Sequence, residues 1–309
     1  SSPTSASVDP PGAADPDGTA MQITPIADAS FGATVTGLRL ADLDDAGFAA
    51  LHAAWLQHAL LVFPGQFLTN AEQINFARRF GPIERIGGGD IVAISNVKAD
   101  GTVRQHSPAE WDDMMKVIVG NMAWHADSTY MPVMAQGAVF SAAVVPPTGG
   151  RTCFADMRAA YDALDDATRA LVHQRSARHS LVYSQSRLGH VQKEGSAYLG
   201  YGMDTTATPL RPLVKRHPET GRLSLLIGRH AHAIPGLAPD ASERFLEDLV
   251  AWACQPPRVV AHPWTAGDVV VWDNRCLLHR AEPWDFTLPR VMWHSRLAGH
   301  PETEAAPLV

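Results

Sequence analysis

Two potential metal ligands lie close together in the sequence Trp124-His125-Ala126-Asp127. In an extended strand, residues two positions apart point to the same face, so His125 and Asp127 can reach one ion. Two histidines and one carboxylate can hold a ferrous ion on one side and leave the opposite side open. A second histidine must then arrive from a distant strand. Spacing alone does not select it, because the candidates include His230, His232, His262, His279 and His294.

A histidine beside a carboxylate is a weak signal in a chain that has 14 histidines. Two His-Pro-Glu triplets, beginning at His217 and His300, show how easily such pairs arise. We interpret both as solvated loop residues, because the intervening proline is typical of turns. His125 and Asp127 therefore predict a metal site only in combination with residues elsewhere.

The composition narrows the class of protein. The chain has 309 residues, 46% of them hydrophobic and 18% charged, which is enough apolar material to bury a core. A net charge of −7 argues against a nucleic-acid-binding surface. No apolar run approaches the length of a membrane span, so no membrane association is expected. Three widely spaced cysteines, Cys153, Cys254 and Cys276, indicate a reducing cytoplasm rather than a disulfide framework.

The domain organisation predicted from the sequence is simple. Residues 1–20 are rich in Ser, Pro, Ala, Gly and Asp and are predicted to be a disordered tail, because they cannot bury apolar surface. Residues 22–309 contain no obvious linker and are predicted to form a single domain. Many short strands, frequent Gly and Pro, and a few helices indicate an α+β protein on a β-sandwich or jelly roll. The segment at about residues 85–120 is predicted to be an active-site lid, since long irregular stretches are typical of binding loops.

Hydrophobic periodicity predicts the elements that must carry the candidate ligands. Helices are predicted at residues 44–60, 71–80, 157–173 and 242–254, with a helix-like piece around 108–115. Strands are predicted at residues 60–63, 91–95, 138–145, 259–261, 268–272 and 290–297. Asn70 is the expected cap of the second helix. His279 falls outside every predicted strand, after the turn-like Asp273-Asn274-Arg275.

Several segments, taken together, resemble the taurine dioxygenase / 2,4-dichlorophenoxyacetate dioxygenase family, whose members are Fe(II)- and 2-oxoglutarate-dependent oxygenases. They occur in family order within about residues 22–300, and they are 124–127, 149–152, 272–275 with 278–280, and Arg290. The resemblance implies a double-stranded β-helix, or jelly roll, with the metal at its open end. It implies that His125, Asp127 and His279 are the iron ligands, and so selects His279 from its competitors.

The resemblance also implies how 2-oxoglutarate is held. Arg290 falls on the arginine that pairs with the distal carboxylate, and Thr152 falls on the threonine that hydrogen-bonds the same group. A guanidinium can hold a carboxylate through two parallel hydrogen bonds, and a hydroxyl can donate one more. Fe(II) is the expected cofactor, with 2-oxoglutarate and O2 as co-substrates.

Within the family, residues 85–130, 225–232 and 289–296 look closest to the branch that cleaves aryloxyalkanoates. This implies hydroxylation of the carbon next to the ether oxygen of substrates such as (S)-phenoxypropionates, giving a phenol and a 2-oxo acid with succinate and CO2. Two alternatives stay open: a family member acting on an alkyl sulfate or sulfonate, and a cupin-like metal-binding protein without oxygenase activity. The expected partner is a small carboxylic acid, and a homo-oligomer is expected.

The resemblance suggests where the substrate acid binds. Arg229 is the expected anchor for its carboxylate, with His230 beside it. Asn121 falls on a pocket asparagine of the family, and Gly88 lies in a glycine run whose N–H groups can receive an anion. His294 stands where the taurine enzyme has the arginine that holds the sulfonate, which disfavours a sulfonate substrate.

Overall fold

The computed structural model describes residues 20–189 and 208–309, so the predicted tail lies outside the described residues except for Ala20. The strands are β1 (Gln22–Pro25), β2 (Ala33–Thr36), β3 (Leu60–Phe63), β4 (Ile83–Glu84), β5 (Val92–Ser95), β6 (Gly137–Val144), β7 (Thr152–Asp156), β8 (Ser176–His179), β9 (Leu210–Pro212), β10 (Val214–Arg216), β11 (Leu223–Leu225), β12 (Ala231–His232), β13 (Val259–His262), β14 (Val269–Asp273), β15 (Leu277–Ala281) and β16 (Val291–Leu297). The helices are α1 (Asp45–His58), α2 (Asn70–Arg78), α3 (Asp113–Gly120), α4 (Met157–Asp162), α5 (Asp166–His173), α6 (Leu181–Ser186), α7 (Pro239–Ala253) and α8 (Pro301–Glu304).

Two sheets carry the centre of the molecule. The larger has the strand order β1-β2-β3-β14-β6-β16-β4, with β5 also paired to β16. The smaller has the order β13-β7-β15 and is antiparallel throughout. Apolar side chains from both sheets form one buried cluster, which includes Phe140, Trp272, Phe154 and Leu277. The expected combination of helices and sheets is therefore observed, and the sheets pack through a shared core.

Strand β14 shows why the larger sheet is buried on both faces. Val270 and Trp272 point into the cluster shared with the smaller sheet. Val269 and Val271 point the other way and pack with Leu51 and other residues beneath α1 and α2. Successive side chains of a strand alternate between faces, so a continuous apolar run is what a central strand covered on both sides requires.

Three helix predictions need correction. The helix predicted over 157–173 is two helices, because the Asp165 carboxylate accepts a hydrogen bond from the Thr168 N–H and starts α5 anew. Asn70 is the first residue of α2 rather than its cap, since Thr69 and Glu72 form a capping box. The helical piece predicted at 108–115 is a short 3-10 turn followed by α3, which Asp112 caps.

All three cysteines are free, with Cys153 and Cys276 buried and Cys254 half-buried. Burial raises the pKa of the Cys153 thiol to about 11 and that of Cys254 to about 12, so both are protonated at neutral pH. Within the described ranges, no helix has both the length and the apolar character needed to cross a bilayer.

Candidate active site

His125 and His279 face each other through a pair of backbone hydrogen bonds. The His125 N–H donates to the His279 carbonyl at 3.0 Å, and the His279 N–H donates to the His125 carbonyl at 2.8 Å. His279 lies in β15, a strand that the sequence patterns do not predict. His125 and Asp127 do not lie together in an extended strand, because only His125 forms a bridge and the chain then turns at Ser128, whose φ is 55°. The turn still brings the Asp127 carboxylate towards both histidines.

The three side chains form a compact, buried group. Asp127 Oδ1 lies 3.7 Å from His279 Nε2 and 3.9 Å from His125 Nε2. His125 Nδ1 lies 2.8 Å from the Ala123 carbonyl oxygen, so it carries the proton and leaves the Nε2 lone pair directed at the group. Asp127 Oδ2 is buried without a hydrogen-bond partner. Two imidazole nitrogens and a carboxylate arranged in this way suit a divalent transition metal.

The electrostatics of the group favour ligand forms of all three side chains. Burial lowers the pKa of His125 well below its ordinary value, and His279 beside it adds to the shift. Burial also lowers the pKa of His279, so both imidazoles are neutral near pH 7. Burial alone would raise the pKa of Asp127, but Arg296 and the neighbouring histidines outweigh it and hold that pKa below its usual range. Neutral imidazole and ionised carboxylate are the forms that bind a metal.

A second group of potential ligands, His217, Asp273 and Cys276, is already satisfied by protein contacts. Both Asp273 oxygens accept hydrogen bonds from Arg275, and Asp273 Oδ2 also lies 2.9 Å from His217 Nε2. The interpretation of His217 as a solvated loop residue is wrong, since it is 2% exposed. Glu219, its partner in the sequence triplet, accepts a hydrogen bond from Arg275 at 2.7 Å. This network joins β14 to the loop after β10 and leaves no lone pair directed at an ion.

Arg290 is a buried cation with no carboxylate partner among the described residues. Its Nη2 donates to the Gly150 carbonyl at 3.1 Å, and its guanidinium lies over the Trp284 ring at 5.1 Å. Its Nε has no hydrogen-bond partner. Burial lowers the pKa of Arg290 to about 10, so the group stays protonated at neutral pH. A buried guanidinium without a counter-charge is a strong site for an anion.

Gly150 and Thr152 border this guanidinium. A Cβ on Gly150 would lie 3.2 Å from Arg290 Nε, and its φ of +65° also favours glycine. The Thr152 hydroxyl is buried and accepts a hydrogen bond from Trp264 Nε1 at 2.9 Å, so its own proton can be donated elsewhere. Gly150 therefore has a local cause, which is the close approach of Arg290, whereas a Cβ on the preceding Gly149 would lie 2.7 Å from the Pro283 carbonyl oxygen.

One cavity of about 610 Å³ connects these groups. The described residues that line it include the three candidate metal ligands, both candidate 2-oxoglutarate residues and three of the four candidate substrate residues, namely His125, Asp127, His279, Thr152, Arg290, Arg229, His230 and Asn121. Much of the segment at about 85–120 forms another part of the wall, with Val92, Ile94, Met114 and Ile118 among its apolar members. Gly88, the fourth substrate candidate, is not on the wall.

The structure places Gly87, rather than the predicted Gly88, at the cavity. Gly88 lies at the exposed tip of a turn closed by hydrogen bonds between Ile86 and Gly89, and its carbonyl accepts a hydrogen bond from Arg85. Gly87 is the glycine of this run that reaches the cavity. A tight turn directs neighbouring residues to different sides, and the glycine run alone did not indicate which one faces inward.

The other substrate candidates are held firmly in place. The Arg229 guanidinium donates to Gln185 Oε1 of α6, and the Arg229 N–H donates to the Trp124 carbonyl at 2.9 Å. His230 Nδ1 lies 2.8 Å from the Ser184 hydroxyl, and its ring meets Tyr130 edge-on at 4.8 Å. The Asn121 backbone carbonyl accepts a hydrogen bond from the Ala281 N–H at 2.8 Å. Both arginine and imidazole therefore reach the cavity close to His125.

The contacts of Arg296 and His294 with Asp127 are not predicted from the sequence, although His294 is one of the candidate ligands. Arg296 Nη2 lies 3.2 Å from Asp127 Oδ1, and Glu84 lies 3.8 Å from Arg296 Nη1. His294 Nε2 lies 3.6 Å from Asp127 Oδ2, and burial lowers the pKa of His294 to about 3. The sequence does contain a signal for this arrangement. His294 and Arg296 are two positions apart in the predicted strand 290–297, so their side chains face the same side of the sheet.

The fold and site define a class, and the chain belongs to the TauD/TfdA family of dioxygenases. The model of the family described as "Taurine catabolism dioxygenase TauD, TfdA family" matches residues 22–296. The family resemblance carried by the four sequence segments is thus confirmed.

Individual proteins are also similar to the chain over most of its length. The chain is 85% identical to (S)-phenoxypropionate/alpha-ketoglutarate-dioxygenase of Delftia acidovorans, over 94% of this chain and 99% of the relative. It is 63% identical to the protein of the same name from Sphingobium herbicidovorans, over 93% of this chain and 98% of the relative. Among solved structures, AAD-2 in complex with Mn(II) and N-oxalylglycine matches with a TM-score of 0.83 and 34% identity, covering 94% of this chain and 99% of that one.

Proposed function

We propose that this protein is an Fe(II)- and 2-oxoglutarate-dependent dioxygenase that hydroxylates aryloxyalkanoates such as (S)-phenoxypropionates. One observation carries the proposal: the His125–Asp127–His279 group opens into the same cavity as the Arg290 guanidinium, which has no carboxylate partner among the described residues. The names of the two close relatives support this substrate class. A metal-binding protein without oxygenase activity would not need a buried anion site beside its metal ligands.

We infer that the larger sheet and the β13-β7-β15 sheet are the two walls of a double-stranded β-helix. Their shared apolar cluster supports this arrangement, as does the similarity to AAD-2. Residues 22–309 would then form one domain, with residues 85–120 as a lid over the cavity. His125 lies on a loop and His279 on a strand of the smaller sheet, so the metal site lies where the two elements meet.

His125, Asp127 and His279 are the residues that would hold the iron. Burial keeps both imidazoles neutral, and Arg296 helps to keep the carboxylate ionised. The Mn(II) complex of the structural neighbour fits a divalent ion in this family. When bound, Fe(II) would supply the activation of O2 that is coupled to oxidation of 2-oxoglutarate to succinate and CO2.

Arg290 and Thr152 would bind the far carboxylate of 2-oxoglutarate. The guanidinium is held by the Gly150 carbonyl and the Trp284 ring, which orients it and shields it from water. A charge-assisted pair formed in such a dry pocket is stronger than one at the surface. The Thr152 hydroxyl already accepts from Trp264, so its proton is available to the same carboxylate.

Arg229 would anchor the substrate carboxylate, with His230 and Asn121 nearby and Gly87, in place of Gly88, elsewhere on the cavity wall. Apolar side chains such as Ile94, Ile118 and Leu181 would surround the aromatic ring. Anchoring the acid places the neighbouring carbon towards the metal ligands, and such placement determines which C–H bond reacts. Hydroxylation of the carbon that bears the ether oxygen gives a hemiketal, which breaks its C–O bond to release a phenol and a 2-oxo acid.

A product assay tests the proposal. The purified protein is supplied with Fe(II), 2-oxoglutarate and, separately, the (R) and (S) enantiomers of a phenoxypropionate. Equimolar phenol, pyruvate and succinate from the (S) enantiomer is the expected result. Substrate-dependent succinate with an alkyl sulfate alone would move the protein to the sulfate branch. Absence of succinate with every acid would overturn the proposed activity.

A further inference from the structure

Strand β16 approaches both oxygens of the Asp127 carboxylate. His294 and Arg296 are two positions apart on this strand and therefore face the same side. Arg296 Nη2 lies 3.2 Å from Asp127 Oδ1, within hydrogen-bond distance. His294 Nε2 lies 3.6 Å from Oδ2, and both of these atoms are buried without a hydrogen-bond partner. One strand thus supplies a neighbour to each oxygen of the carboxylate.

Arg296 is itself held from several directions. Its direct neighbour across the strand pair is Glu84 of β4, whose Oε1 lies 3.8 Å from Arg296 Nη1. The Ser128 hydroxyl, next to Asp127 in the chain, donates to Glu84 Oε1 at 2.6 Å and lies 3.2 Å from Arg296 Nη1. The Tyr130 hydroxyl makes a further hydrogen bond with Arg296. These contacts fix the position of the guanidinium relative to the turn that carries Asp127.

This contact constrains how Asp127 can bind an ion. Oδ1 is the oxygen nearest both His125 Nε2 and His279 Nε2, and it also meets Arg296. A carboxylate oxygen has two lone pairs, so one can serve the guanidinium and the other the metal. With His294 beside Oδ2, the carboxylate presents a single oxygen to the ion. A one-oxygen ligand leaves the opposite coordination positions open, as an oxygenase of this type requires.

We propose that Arg296 is a positioning residue for the metal site: it holds Asp127 so that one carboxylate oxygen faces His125 and His279, and it thereby sets the affinity for the metal. The inference rests on the metal-ligand part of the proposed function. Partners of metal ligands typically contribute about 10- to 100-fold to affinity. Arg296 would do so from a strand that supplies no ligand itself.

The test is Mn(II) binding to the full chain without 2-oxoglutarate or substrate, measured from the electron paramagnetic resonance signal of free Mn(II). Arg296→Gln removes the guanidinium but leaves the half-buried Glu84 without its counter-charge, which can impair folding. The double variant Glu84→Gln with Arg296→Gln removes both charges and so does not leave Glu84 as an anion without a partner. Arg216→Gln, at an exposed arginine of β10, is the matched control.

The double variant is expected to unfold within a few degrees of the parent and to bind Mn(II) about 10- to 100-fold more weakly. Glu84→Gln alone, which keeps the guanidinium beside Asp127, should lose less affinity than the double variant. Parental Mn(II) affinity in a folded double variant would overturn the proposal. Because the measurement involves no turnover, it is independent of which substrate the protein oxidises. A parent chain that binds Mn(II) but makes no phenol would overturn only the proposed activity.

Discussion

The guanidinium of Arg229 lies against the backbone of α3 at Gly120, in space that any larger residue would occupy. A Cβ at position 120 would come within 3.0 Å of Arg229 Cζ and 2.7 Å of Gln185 Oε1. Gln185 accepts a hydrogen bond from the same guanidinium, so Arg229 is held between α3 and α6. The absence of a side chain at Gly120, and not an unusual backbone conformation, is what admits the arginine to the cavity.

Gly120→Ala should therefore displace Arg229 and weaken substrate binding. We expect the KM for a phenoxypropionate to rise about tenfold or more, because a two-point contact to a carboxylate tolerates little displacement. Steady-state kinetics measure it, and the KM for 2-oxoglutarate serves as the internal control because Arg290 is held by other groups. An unchanged KM for the aryloxyalkanoate would mean that Arg229 does not depend on this space or does not bind the acid.

Two arginine substitutions should separate the two acid sites. Arg229→Gln is expected to raise the KM for the aryloxyalkanoate by about 10- to 100-fold, since it removes a charged partner of a carboxylate. Arg290→Gln is expected to do the same for 2-oxoglutarate. Each variant is assayed with one acid varied and the other saturating. Equal loss of both affinities in Arg229→Gln would remove Arg229 from the substrate role.

The choice of His279 over the other histidines can be tested by metal binding. His279→Ala should reduce Mn(II) affinity by at least about 100-fold, because it deletes one of three ligands. His262→Ala is the matched control: His262 is also partly buried, but it is paired with Asp268 at 3.1 Å. Calorimetric titration of both metal-free variants makes the comparison. Similar Mn(II) affinities in the two variants would contradict the ligand assignment.

The pH dependence of stability should reflect a buried histidine outside the metal site. His179 is 1% exposed, neither of its ring nitrogens has a hydrogen-bond partner, and burial lowers its pKa well below the ordinary value. Below about pH 6.5 the unfolded chain binds a proton at this residue that the folded chain excludes. Excluding this proton destabilises the folded state. The contribution of His179 to the free energy of unfolding is therefore zero above that pH and becomes more unfavourable as pH falls, by about 1.4 kcal/mol per pH unit.

His179→Leu should remove this contribution. Urea unfolding of the metal-free protein at pH 7.5 and pH 5.5 should show a smaller fall in the free energy of unfolding for the variant than for the parent. His106→Leu, at an exposed position, is the control and should retain the parental pH dependence. If the free energy of unfolding of His179→Leu falls as steeply between the two pH values as that of the parent, then His179 is protonated in the folded state or another group dominates the pH dependence.

The six strands predicted from local pattern all coincide with observed strands, but ten of the sixteen strands among the described residues were not predicted. The run Val269–Trp272 is apolar on both faces, and it lies in a strand that is covered on both sides. The split at Asp165 escaped prediction because an internal helix start depends on a single capping hydrogen bond, and the flanking apolar pattern continues across it. Strand β15 escaped because it is short and its apolar pair is followed at once by His279 and Arg280.

The sequence by itself determined the kinds of groups at the site. A histidine and an aspartate two positions apart make a metal site possible, and a guanidinium and a hydroxyl can hold a carboxylate, but the assignment of Thr152 and Arg290 to an acidic co-substrate came from the resemblance to a family. Resemblance to a family then selected His279. These inferences concern the chemistry of the side chains, which is the same wherever the fold places them.

Only the tertiary structure decided which of the histidines meet and which residues hold them. The sequence patterns place both His217 and His279 outside the predicted strands, yet His217 is paired with Asp273 in the core and His279 lies 3.7 Å from Asp127. The role of Arg296 was hidden for the same reason, since its partner Glu84 comes from a distant strand. Contacts between residues remote in the chain arise from strand pairing and packing, and short-range periodicity does not predict them.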